Sequence, residues 1–215
     1  MIEHPMTALD RPTLIGYPPA PSNGGALEGA PPKVGDWVWQ PKFDDRRVAI
    51  HVPTLTIWNQ YGELSIANKE REKFAVALET LRTSAVTEWH EWLDAGLMEY
   101  RHDMMRGSIV IFDTMDVTKA HWNRRAGLKV AFEEAPMISE LMKQQAQVRD
   151  QVLLVPEWKY VKEPLVLEGR LKAANAWVGR KFYEGLVAKR EDAYYPLGMK
   201  AKQITPLWVK HRFDQ

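Results

Sequence analysis

Cysteine is absent from this 215-residue chain. Disulfides, thiolate nucleophiles and cysteine-ligated zinc are therefore excluded, and the composition fits a reducing compartment. Surplus charge is missing as well: 29 Lys and Arg face 28 Asp and Glu, a net charge of +1. Bulk charge does not announce a polyanionic partner, so any nucleic acid has to be met by a local patch. No apolar run is long enough to span a membrane, so no membrane partner is expected. The opening "MIEHPMTALDRPTLIG" lacks a basic stretch followed by an apolar one. A secretory signal is not expected, and the reading is cytoplasmic.

Tryptophan, by contrast, is plentiful at nine. Such side chains supply buried area and also stack on bases. Residues 1–35 are rich in Pro, Gly and Ala and cannot hold a regular helix or a central strand, so they read as an extended arm. Residues 36–215 read as one folded domain. Within it, "WVWQPKFDDRRVAIHV", "TLTIWNQYGELSI", "SIVIFDTMDV", "DQVLLVPEW", "EGLVAKR" and "TPLWVKHRF" have strand character. Phe74, Leu78 and Leu81 lie at helical spacing within 67–83, and a further helix is expected over 167–183. Residues 118–146 read as a helical hairpin, or as one helix broken near Pro136. Strands and helices mix without a βαβ rhythm, which predicts an α+β fold with antiparallel sheets flanked by helices.

Residues 42–47, "KFDDRR", pose a question. A charged turn leading into an edge strand would account for them if they stood alone. Three later stretches change that reading. "KFDDRR" resembles the K-x-D-G-x-R motif of the covalent nucleotidyltransferases, which include ATP-dependent DNA ligases, RNA ligases and mRNA capping enzymes. "IVIFDTM" resembles their hydrophobic-F-D strand, "EGLVAK" their E-G-hydrophobic-hydrophobic-x-K strand, and "WVKHR" their closing W-h-K-h-K strand. The order and rough spacing match from about residue 36 onward.

The residue types suit the chemistry. A lysine amine can attack the α-phosphorus of ATP and form a phosphoramidate, provided that it is neutral. Free lysine titrates near ~10.4, and neighbouring cations with partial desolvation lower that value. Phosphoryl-type transfer then rests on positioning and charge neutralisation.

By resemblance, Lys42 is the nucleophile, and Lys189 and Lys210 contact phosphate. Asp44 and Arg47 belong to the nucleotide-binding motif, with Arg47 directed to ribose or to a nucleic-acid end. Gln40 stands where the family reads the adenine amino group. Phe112 matches the base-stacking aromatic. Glu184 and Asp113 are the expected Mg²⁺ carboxylates, Trp208 precedes Lys210, and Arg212 takes the place of the last motif lysine. Taken singly, Phe112 and Trp208 could equally be core, and the strand lysines could be exposed groups that discourage edge pairing.

The resemblance implies a nucleotidyltransferase (ATP-grasp-like) adenylation domain that uses ATP and Mg²⁺. Its expected activity is lysyl-AMP formation and sealing of nicked double-stranded DNA. RNA ligation, guanylyl transfer and catalytically silent binding of nucleic-acid ends are the alternatives. A monomer is expected, either as a minimal catalytic domain, or with an OB-fold module supplied by a separate partner, or with the N-terminal arm and helical insert in its place. Three positions depart from the pattern: Asp45 replaces the motif glycine, Gly96 falls where a ribose-binding glutamate stands, and Gln60 replaces an arginine. Glu99 lies near Gly96 but out of register with it. "EYRHDMMRG", "AHWNRRAGLK" and "KAKQITPLWVKHRF" interleave basic and aromatic residues as a phosphate-contacting patch would, although Arg124, Arg125 and Lys129 also suit a solvated helix face.

Overall fold

The run from Trp37 to Val52 contains two strands in two different sheets. A computed structural model describes residues 23–26, 36–59, 71–84, 91–99, 105–116, 118–137, 148–195 and 204–213. In chain order these form β1 (Asn23–Ala26), β2 (Trp37–Phe43), β3 (Arg46–His51), β4 (Thr56–Asn59), α1 (Ala75–Thr83), β5 (Trp92–Leu97) and β6 (Ile109–Thr114). There follow α2 (His121–Ala131), β7 (Val152–Leu154), α3 (Pro164–Val178), β8 (Tyr183–Arg190) and β9 (Ile204–Arg212). One sheet has the order β1-β9-β8-β2 and the other β4-β3-β5-β6-β7. Asp44 and Asp45 are the crossover between them, which answers the question posed by "KFDDRR".

The α+β class holds, with one correction: the sheets are mixed. β1 runs parallel to β9 and β6 parallel to β7, while the other pairings are antiparallel. The part of the 1–35 arm that is described, 23–26, is an edge strand, consistent with a segment unfit for a sheet interior. Gln60, residues 67–70 of the first expected helix and 138–146 of the expected hairpin lie outside the described residues.

Alternation places the apolar residues. Val48 and Ile50 of β3 join Leu93, Ile111, Leu78, Leu81 and Leu128 in one core between the five-stranded sheet, α1 and α2. Trp39, Phe43, Leu186 and Ala188 turn to the other side of the four-stranded sheet, where Leu167, Leu171 and Ala174 of α3 cover them. A third cluster, with Ala49, Trp58, Trp92, Tyr195 and Trp208, lies between the two sheets. Four of the nine tryptophans are buried in these clusters, while Trp122 and Trp177 are exposed.

Helix α3 starts three residues earlier than expected, with Pro164 in its first turn, and stops at Gly179, whose φ of 69° is left-handed. The Asn175 side chain then accepts from the amides of Phe182 and Tyr183 at 2.9 and 2.8 Å and donates to the Tyr183 carbonyl at 2.7 Å, tying the start of β8 to the helix. Helix α2 falls within the expected helical stretch and Lys129 is exposed on it, but two of its arginines depart from the sequence reading. Arg124 and Arg125 are 0% and 3% exposed, so they form neither a solvated face nor a phosphate patch.

Candidate nucleotide site between the sheets

Strand register alone gathers most of the expected site. Lys189 pairs with Val38 on one side and Trp208 on the other; Val187 likewise joins Gln40 to Lys210, and Gly185 joins Lys42 to Arg212. Directly opposed residues point to the same side of a sheet, as do residues two apart on one strand. Gln40, Lys42, Lys189, Trp208, Lys210 and Arg212 therefore share one face, the one turned towards the five-stranded sheet. Gly185 is dictated by packing: a Cβ there would lie 2.0 Å from the His211 carbonyl oxygen.

Glu184 reaches Lys42 through a β-bulge. Lys42 pairs with Gly185 and Phe43 with Tyr183, which leaves Glu184 as the extra residue. Strict alternation would send its side chain to the opposite face; the bulge turns it so that the Lys42 ammonium donates to its carboxylate. Phe112 is the second such case. Asp94 pairs with Asp113 and Ala95 with Ile111, so Phe112 is the extra residue of β6, half-buried with its ring edge over Gly96.

The facing sheet contributes charge held in pairs. Arg47 of β3 donates from Nε to Asp94 Oδ1 at 2.8 Å and from Nη2 to Oδ2 at 2.5 Å, with its guanidinium over Trp208 at 5.5 Å. Asp94 also accepts from the Tyr195 hydroxyl at 3.2 Å. Asp113 accepts from Arg124 Nε and Nη2 at 2.8 and 2.9 Å and from His121 Nδ1 at 3.0 Å. Lys189 Nζ lies 3.5 Å from Asp113 Oδ2, 3.1 Å from the Phe112 carbonyl oxygen and 4.7 Å from the Trp208 ring centre. Burial alone would raise the Asp113 carboxyl, but Arg124, Lys189 and His121 hold it well below the usual range. Burial pushes the Lys189 amine down, only partly offset by Asp113.

This network continues to Gln40. His121 is raised above its ordinary value because the two flanking carboxylates outweigh its burial. Both ring N–H groups then donate, one to Asp113 and the other, at 2.7 Å, to Glu157. Glu157 is brought there by the 155–158 segment, whose Val155 amide bonds to Ile111 of one sheet and whose Trp158 bonds to Trp39 of the other. Its carboxyl falls to about 2, because His121 and Arg125 outweigh burial. An ionised carboxylate only accepts, so the Gln40 amide nitrogen, 3.1 Å away, must face Glu157. The Gln40 carbonyl is left to accept from something else.

Charge crowds on the four-stranded side. Lys210 is pushed down to about 7 by burial and then by Arg47, Lys42 and Arg212. Arg46 pairs with Glu99 at 2.8 Å, so Glu99 is engaged at the strand end rather than standing in for position 96. The Asp44 amide bonds to the Phe182 carbonyl at 3.0 Å. Asp113 sits inside the ion network rather than beside Lys42, and the metal role expected of it is not what its surroundings favour. Asp94, His121 and Glu157 were not singled out by sequence, and Arg124 was read as a surface residue; a lone Asp in the apolar run "WLDAGL" was the one available signal.

The two sheets and the helices packed against them make an α+β fold that solved structures share. More particularly, it is the fold of ATP-dependent DNA ligase domains. The ligase domain from M. tuberculosis LigD superposes with a TM-score of 0.56 at 15% identity, covering 91% of this chain and 59% of that one. A mycobacterial DNA ligase D complexed with ATP and MES gives 0.55 at 16%, covering 91% and 60%. Chlorella virus DNA ligase-adenylate gives 0.55 at 14%, covering 90% and 67%. The chain thus spans about three fifths of the LigD chains that it matches. No protein-family model matches the chain, and no curated protein matches it.

Proposed function

We propose that the chain is an ATP-dependent lysyl nucleotidyltransferase of the DNA ligase type. The Lys42 amine, its proton passed to Glu184 or to water, attacks the α-phosphorus of ATP. A nitrogen–phosphorus bond forms, the bond from that phosphorus to the bridging oxygen breaks, and pyrophosphate leaves. The AMP then passes to a 5′-phosphate, and a neighbouring 3′-hydroxyl displaces it to seal a nick in duplex DNA. The reading is supported above all by the single sheet face that carries Gln40, Lys42, Lys210 and Arg212, with Glu184 turned onto Lys42.

Each group has a part that its surroundings suit. Lys210, Arg47 and Arg212 meet the phosphates, and the lowered Lys210 regains its proton when that charge arrives. The Gln40 carbonyl accepts from an adenine amino group; guanine would present a carbonyl there and repel it. Phe112 faces the base, and Lys189 and Trp208 support it from below. Among the described residues no three His, Asp or Glu side chains converge to hold a metal ion. Mg²⁺, when bound, would neutralise phosphate charge and be held mainly by phosphates and water, with Glu184 as its carboxylate.

The test is self-adenylylation with α-labelled ATP and Mg²⁺, followed by denaturation. Acid-labile label is expected on the wild type, absent from Lys42→Ala and undiminished by excess GTP. A folded wild type that takes no label from ATP would overturn the reading in favour of a silent binding domain. Competition by GTP would favour a guanylyltransferase.

A further inference from the structure

Two departures from the motif pattern meet in space. Asp45 immediately precedes β3, and Gly96 lies across from Arg47 in the β3–β5 pairing. A Cβ built on Gly96 would fall 2.0 Å from Asp45 Oδ2, 2.7 Å from Asp45 Cγ and 2.7 Å from Phe112 Cζ. Gly96 has no left-handed φ that would demand glycine; its neighbour demands it. The Asp45 carboxylate therefore fills the volume that the first atoms of a longer side chain at 96 would take.

That carboxylate is in an odd position for a purely structural group. Its Oδ2 is buried and accepts no hydrogen bond among the described residues. Burial pushes the carboxyl up to about 7, against the pull of Lys42 and Arg47. Oδ2 is sealed against Gly96, so a bound hydroxyl has to meet the other oxygen, Oδ1, which is not among the buried unpaired atoms. The neighbours say which hydroxyl. Lys42, proposed to bond the α-phosphorus, is near enough to pull on the carboxyl, and the tip of Phe112, proposed to face the base, meets the same Gly96 position. In a nucleotide, the sugar is what joins those two groups.

We propose that Asp45 is the carboxylate that accepts the ribose hydroxyls of bound ATP, and that Gly96 is the gap that admits it. The acidic group has in effect moved from strand β5 to the crossover between the sheets. The two positions form one unit, in which neither residue can be exchanged alone. This rests on the nucleotidyltransferase reading above.

The experiment uses the full chain and compares ATP with 2′-deoxy-ATP and 3′-deoxy-ATP, by Lys42 labelling and by calorimetric binding. The wild type should prefer ATP over at least one deoxy analogue by ~10-fold or more, as sites built around a substrate hydroxyl do. Asp45→Ala should weaken ATP and bring the analogues to within about 3-fold of it, since the hydroxyl no longer has a partner. Gly96→Glu alone should bind poorly, and Asp45→Gly combined with Gly96→Glu should recover both binding and the ribose preference. A purely structural Asp45 would change affinity for all three nucleotides alike. That result, or an unchanged preference in Asp45→Ala, would overturn the proposal. Should Gly96→Glu fail to fold, Asp45→Ala and Asp45→Asn carry the test. Should the wild type bind ATP without labelling, the nucleotidyltransferase reading falls while the binding preference still judges Asp45. A wild type that binds none of the nucleotides overturns both.

Discussion

The two walls of the candidate site treat charge in opposite ways. On the five-stranded side, Arg47 is matched to Asp94, and Arg124, His121 and Lys189 converge on Asp113, with oxygen and nitrogen in good contact. On the four-stranded side, Lys210 sits among Arg47, Lys42 and Arg212 and is pushed down to about 7. The first arrangement is complete in itself and fixes geometry. The second pairs Lys42 with Glu184 but crowds Lys210 among cations, an arrangement that suits an arriving anion. The two kinds of charge thus sit mostly on different sheets, with Lys189 of β8 reaching across to Asp113.

Substitutions should separate the two walls cleanly. The largest effect belongs to Lys42→Ala, which should abolish covalent labelling while costing only about 1 kcal/mol in urea unfolding, since its ion pair with Glu184 is partly exposed. Next is Arg124→Ala. Stranding Asp113 in the interior should cost about 3–5 kcal/mol in urea unfolding, a large share of a typical domain's stability. Labelling should fall only with the folded fraction. If Arg124→Ala left stability intact, the contrast between the walls would break.

Lys210→Met probes the unbalanced wall through pH. Lysine ordinarily titrates at 10.5, and Lys210 does so at about 7, so between those values the unfolded chain binds the extra proton and stability rises with pH. Lys210→Met should remove that slope. ATP binding near about pH 8 should take up protons in the wild type, as the phosphates return Lys210 to its charged form, and calorimetry in two buffers should show the uptake vanish in Lys210→Met. Uptake that persisted would sharpen the assignment to another cation.

The smallest effect belongs to Glu157→Gln. The Glu157 carboxyl sits at about 2 against 4.5 when free, so its stabilisation is present above about pH 4.5 and lost as pH falls towards 2. The variant should show a shallower acid limb, and the preference for ATP over GTP should narrow by about 10-fold or less, because Gln40 loses its anchor. A steep acid limb in the variant would move the titration to Asp113.

The unbalanced wall was largely legible in the sequence and the balanced wall was not. Lys42, Lys210 and Arg212 lie on strands with alternating neighbours, so their face follows from local pattern. Arg47 finds Asp94, and Gln40 finds Glu157, across long stretches of chain that no local pattern connects. Arg124 and Arg125 misled because a charged helical stripe normally faces water; here it faces buried carboxylates and a carbonyl. The aim of Glu184 and Phe112 also escaped sequence reading, since a bulge shifts the face of one residue without leaving a mark in composition.

The pairing of β1 with β9 has a consequence in time. The first described strand of the chain lies against the last, and that last strand carries Trp208, Lys210 and Arg212. Closing so long a loop is slow, and contacts between distant segments come late. The five-stranded sheet can assemble while the chain is still emerging, because β3 to β7 are contiguous in sequence order. The sheet that would hold the nucleotide has to wait for residue 212. A nascent chain would thus own its five-stranded scaffold before it owned the face that carries Lys42, Lys210 and Arg212.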